Sequence, residues 1–126
     1  MKTDLIEIFQ TIRASLQPYA TLGFDNRTNS ETLYDLWSNK NVEIDGTLKN
    51  EVFFTSVSIE DSYVSVRLLP DEMIKDLKEI AGSGLSELLT DAGYFKITEL
   101  DDALLAHVEE AVAATFKVYK DNGWVV

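Results

Sequence analysis

Two runs rich in Val, Phe, Ile and Tyr, Glu51 to Ile59 and Tyr63 to Leu69, stand either side of the three residues Glu60-Asp61-Ser62. β-Branched and aromatic residues in runs of this length, broken by a short polar connection, predict a β-hairpin. Successive side chains of a strand point to opposite faces. In the first run this alternation groups Phe53, Thr55, Val57 and Ile59 on one face, with Val52, Phe54, Ser56 and Ser58 on the other. In the second run Val64, Val66 and Leu68 oppose Tyr63, Ser65 and Arg67. Each strand then has an apolar face and a mixed one, as in an antiparallel sheet covered on one side only. Helices laid on Val57, Ile59, Val64, Val66 and Leu68 would gain roughly 1.5–3 kcal/mol for each large side chain buried.

Two segments can supply those helices. From about Thr3 to Tyr19, Leu5, Ile8, Phe9, Ile12, Leu16 and Tyr19 recur at three- and four-residue steps, one face of an amphipathic helix. Thr3 or Asp4 can cap its first N–H groups, Glu7 suits the positive end of the helix dipole, and Pro18 and Gly23 mark its end. A final helix is expected from around Thr98 to Asp102 until Gly123, with Leu104, Leu105, Val108, Val112, Phe116 and Tyr119 on one stripe. Trp124-Val125-Val126 reads as an apolar tail that folds back.

Shorter elements fill the rest. The polar run Thr21 to Glu31 reads as a loop, Thr32 to Ser38 as a strand, and Val42 to Ile44 as a short strand before an Asp45-Gly46 turn. Glu72 to Ile80 has Met73, Ile74, Leu77 and Ile80 at helical spacing, with Gly82-Ser83-Gly84 as the stop. A short helix over Leu85 to Thr90 and a strand over Gly93 to Thr98 follow. The expected architecture is α+β: an antiparallel sheet of about four to five strands with the N-terminal and C-terminal helices on one face. All 126 residues form one domain, since no repeat or linker divides the chain.

Composition narrows the function classes. Twenty-two acids against 11 bases give a net charge of −11, and no two of the bases are adjacent. Binding to nucleic acid or to an anionic membrane rests on basic patches, so neither is an expected partner. Cysteine is absent, which removes disulfides, thiolate metal sites and cysteine nucleophiles and fits a reducing compartment. Acids in the first seven residues do not suit an export signal, no long apolar run is present, and a cytoplasmic location is expected.

Signatures of catalysis are missing. Gly82-Ser83-Gly84 lacks the Lys-Ser/Thr of a phosphate loop, and the sole histidine, His107, lies beside the apolar stripe of the last helix. The carboxylate pairs Asp71-Glu72, Asp101-Asp102 and Glu109-Glu110 form no Asp-x-Asp-x-Asp-Gly loop and read as a solvated acidic face. No cofactor, metal ligand or catalytic residue is assigned. Tyr34, Trp37, Phe54 and Tyr63 are expected to share the mixed face of the sheet with Arg67. A shallow aromatic groove of this kind suits a small ligand, a protein partner or a second copy of the chain.

The strings Val52-Phe53-Phe54-Thr55-Ser56-Val57-Ser58-Ile59 and Tyr63-Val64-Ser65-Val66-Arg67-Leu68-Leu69-Pro70, with Tyr94-Phe95-Lys96-Ile97 and the closing Tyr119-Lys120-Asp121-Asn122-Gly123-Trp124, also carry a resemblance. Over about the C-terminal two-thirds the chain resembles the YdhG-like family of small bacterial proteins, a family of unknown function. The resemblance implies a two-layer α+β fold and, by comparison with frataxin, an iron-chaperone role as the alternative to ligand binding. It carries no site residue onto this chain.

Overall fold

Asp4 starts the first helix: its side chain accepts the Ile6 N–H at 2.9 Å, and α1 runs Leu5–Leu16 until Pro18 tightens the chain into a 3-10 turn, Gln17–Thr21. The computed structural model describes residues 2–44, 46–82 and 84–125, with the backbone alone at 71 and 72. Asp45, Ser83 and Val126, which the sequence reading places in two turns and the tail, lie outside the described residues. After α1 come β1 (Leu33–Ser38), β2 (Val42–Ile44), β3 (Thr47–Lys49), β4 (Val52–Ile59), β5 (Val64–Leu68), α2 (Leu77–Ala81), β6 (Phe95–Ile97) and α3 (Asp102–Asp121).

The main sheet has the order β1-β4-β5-β6 with every neighbour antiparallel, and β2 and β3 form a separate two-stranded hairpin. The expected hairpin is its centre, with Val57 opposite Val66 and Ile59 opposite Val64. Helices α1 and α3 pack against β4 and against each other, and α2 packs on α3. Ile8, Phe9, Ile12 and Leu16 of α1 and Val108, Ala111, Val112 and Tyr119 of α3 are buried with Tyr34, Leu36, Val57, Val64, Val66, Phe95 and Ile97 of the sheet. This is the two-layer α+β arrangement that the periodicities predict. Asp101 caps α3 by accepting the Leu104 N–H at 2.7 Å. The tail folds back, its Trp124 carbonyl accepting the buried Ser38 hydroxyl, and Trp124 and Val125 are buried.

Several expectations are corrected. The polar run after α1 is a loop, as expected, but it is tied to the sheet: Asp25 bridges Trp37 and Asn29 bridges Tyr34, which satisfies the outer edge of β1. Glu72 to Ile80 is not one helix. A 3-10 turn, Asp71–Asp76, precedes the short α2, because the run follows Pro70 directly and has no side chain capping its start. The helix expected over Leu85 to Thr90 is only a 3-10 turn, Ser86–Leu88.

The main correction concerns β4. Leu36 faces Thr55, but the next residue of β1, Trp37, faces Phe53, so Phe54 has no partner on β1. This β-bulge reverses the phase of the alternation. Phe54 and Thr55 both point to the helices, and Phe53 moves to the opposite face with Ser56 and Ser58. Phe54 is fully buried, stacked on Phe24 at a centroid distance of 4.0 Å and in contact with Tyr19, Phe116 and Tyr119.

Candidate binding site on the open sheet face

Two backbone irregularities build a recess at one end of the face that the helices leave open. The first is the bulge, which turns the Phe53 ring out beside Trp37, with centroids 5.3 Å apart and planes at 76°. Edge-to-face rings at this distance attract through their quadrupoles. The second is Leu69, whose φ of 71° is in the left-handed region that a branched side chain rarely enters. Its N–H donates to the carbonyl of the bulged Phe54 at 3.1 Å, so the two irregularities hold each other. Beyond Leu69 the chain leaves the sheet as Pro70 and the following turn, which brings Ile74 over the end of the strands.

The result is a cavity of about 250 Å³ lined by Trp37, Lys49, Glu51, Phe53, Arg67, Leu68, Leu69, Pro70, Ile74 and Gly93. Its walls combine apolar side chains with three charged ones, Lys49, Glu51 and Arg67, so a ligand there would meet both apolar surface and polar groups. Arg27 frames the recess: its guanidinium lies 4.7 Å from the Trp37 ring centroid and forms ion pairs with Glu51 and, at 3.6 Å, with Asp25. Asp35 is held by the Trp37 indole N–H at 3.2 Å and by the N–H groups of Arg27 and Thr28. The acids nearest Trp37 are therefore matched.

Farther along the same face two aromatic rings and two cations form a ladder. Tyr63 and Tyr94 stack with planes 1° apart and centroids at 5.7 Å, and their hydroxyls are hydrogen-bonded at 3.0 Å. Arg67 lies over Tyr94 at 5.3 Å and the Lys96 ammonium over Tyr63 at 5.0 Å. The Tyr94 hydrogen bond, reinforced by burial and by the charges of Tyr94, Glu60 and Asp61, pushes the Tyr63 phenol up to about 12. In a chain with a net charge of −11, Arg27, Lys49, Arg67 and Lys96 thus gather on the one face free of helices.

Of the residues expected on the mixed face, Trp37, Tyr63 and Arg67 are there, and Trp37 and Arg67 meet in the cavity. Tyr34 and Phe54 are not. Tyr34 alternates to the helix side of β1 and is 3 % exposed, and the bulge sends Phe54 into the core at 0 %. The other lining residues, Lys49, Glu51, Phe53, Leu68, Leu69, Pro70, Ile74 and Gly93, were not expected at a site: strict alternation assigns Phe53 and Leu68 to the covered face and gives no sign of the turn at Leu69. His107 lies elsewhere, against Gly84 and 3.9 Å from a Glu110 oxygen. Glu109 of the acidic face accepts the Ser15 hydroxyl of α1. Among the described residues, no three His, Cys, Asp or Glu side chains converge as metal ligands, and no helix is long and apolar enough to cross a membrane. The chain matches no family model, no curated protein and no solved structure.

Proposed function

We propose that this chain is a binding domain, which takes a small ligand on the open face of its sheet, in the recess between Trp37, Phe53 and Arg67. The observation that carries this reading is the recess itself: two uncommon backbone features and a matched set of charges frame a cavity on the open sheet face. Bulges and left-handed non-glycine residues concentrate where a side chain must be aimed at a ligand. The iron-chaperone alternative implied by the YdhG-like resemblance has less support, since among the described residues no three His, Cys, Asp or Glu side chains gather as metal ligands.

A fragment screen tests the reading. Neutral, anionic and cationic fragments added to the isotopically labelled chain are expected to shift backbone signals clustered at Trp37, Phe53, Arg67 and Leu69. Shifts scattered over the surface, or confined to other cavities, would refute it. Light scattering on the same samples registers the rival outcome, a second copy or protein seated on this face, as a change in mass.

A further inference from the structure

We infer that the recess selects a small organic acid, its single carboxylate held by Arg67 and its flat apolar body laid against Trp37 and Phe53. This inference rests on the binding-site reading above and adds to it the class of ligand. The Arg67 guanidinium lies on the Tyr94 ring, and among the described residues no carboxylate is within ion-pair distance of it. An arginine held by its face keeps its planar N–H edge for a partner, and that edge matches a carboxylate in two parallel hydrogen bonds.

Charge elsewhere in the recess points the same way. Glu51 also lines the cavity, yet it is paired with Arg27, so it does not compete for Arg67. The rings of Trp37 and Phe53 and the side chains of Leu69, Pro70 and Ile74 leave room for a flat hydrocarbon body and offer it no hydrogen-bonding side chain. The field of a chain with a net charge of −11 opposes multiply charged anions more than singly charged ones. A monocarboxylate is therefore favoured over a phosphate.

The test compares matched acids and amides: benzoate with benzamide, phenylacetate with phenylacetamide, and inorganic phosphate alone. The indole N–H signals of the two tryptophans report the outcome, since Trp37 lines the recess and Trp124 is buried against Tyr119. At least one acid should shift the Trp37 signal saturably and leave Trp124 in place, binding about tenfold or more tightly than its amide, as charge-assisted hydrogen bonds require. Arg67→Gln should remove that preference. Arg27→Ala, which unpairs Glu51 beside Arg67, should weaken the acid more than the amide. Equal binding of acid and amide, an Arg67→Gln variant that keeps the preference, or phosphate binding as tight as the acids would each overturn the organic-acid inference and leave the binding site standing. No Trp37 shift with any probe overturns the inference too, and the fragment screen then decides separately whether the recess binds anything.

Discussion

The phenol of Tyr119, near the C-terminal end of α3, donates to the main-chain carbonyl of Phe53. Phe53 lies beyond the last residue of β5 and its facing residue Trp37 spends its own N–H and carbonyl on Asp25, so no strand supplies that donor. A helix side chain thus fixes the bulge that aims Phe53 into the recess. Tyr119→Phe keeps the ring in the core and leaves the carbonyl without this donor, so it should cost about 1–3 kcal/mol in urea unfolding. It should also disturb the Trp37 indole signal at the far side of the sheet. A variant as stable as the parent with an unmoved Trp37 signal would show that the bulge is held some other way.

Adjacent phenylalanines in β4 should differ sharply. Phe54 is fully buried among Tyr19, Phe24, Phe116 and Tyr119, whereas Phe53 is partly exposed on the open face. Phe54→Ala should lose about 3–5 kcal/mol, the range for truncating a core aromatic. Phe53→Ala should lose about 1 kcal/mol, closer to a surface change, and should abolish or weaken binding in the recess. Equal losses in the two variants would mean that the strand has no bulge.

How much of this was legible depends on the range of the physics involved. Helix α1 announces itself through the spacing of Ile8, Phe9, Ile12 and Leu16, and the hairpin through Val57, Ile59, Val64 and Val66, because each signal is written within one element. The covered face of β5 follows from the same periodicity. The bulge does not, since a run of Val-Phe-Phe-Thr has apolar residues in either phase and only the pairing with β1 and the hydrogen bond from Tyr119 choose between them. Tyr34 was legible and still misplaced: it stands three residues before Trp37 in β1, so alternation alone sends the two rings to opposite faces. Trp37 and Arg67 were found because a bulky ring and a cation on the mixed side of a sheet are conspicuous in sequence, whereas Leu69 and Ile74 reach the recess only through a turn of the backbone.

Leu69 offers a direct reading of backbone strain. Its side chain is 3 % exposed, so any truncation loses packing, but its φ of 71° penalises every residue except glycine by roughly 1–2 kcal/mol. In ordinary strand positions glycine is less stable than alanine by about 0.5–1 kcal/mol. Here the order should vanish or invert, with Leu69→Gly equal to Leu69→Ala or up to about 1 kcal/mol more stable in urea unfolding. An alanine variant more stable than the glycine variant by the ordinary margin would remove the strain from the account of the site.

The tyrosine ladder predicts an alkaline limb in stability. Burial holds the phenols of Tyr19 and Tyr34 above the usual tyrosine range, Glu109 adding to the effect at Tyr19, and the Tyr94 hydrogen bond chiefly raises Tyr63 to about 12. A phenol raised above its unfolded value of about 10 keeps its proton in the folded state after the unfolded chain has lost it. The stability it contributes is therefore complete below about pH 10 and disappears as pH rises towards 12. Absorbance titration at the phenolate band should show late-titrating tyrosines in the parent, and Tyr94→Phe should bring one of them, Tyr63, back towards its ordinary value. The urea midpoint should fall between about pH 9 and about pH 11 in the parent, and by less in Tyr94→Phe. If Tyr94→Phe titrates as the parent does, the two hydroxyls are not joined.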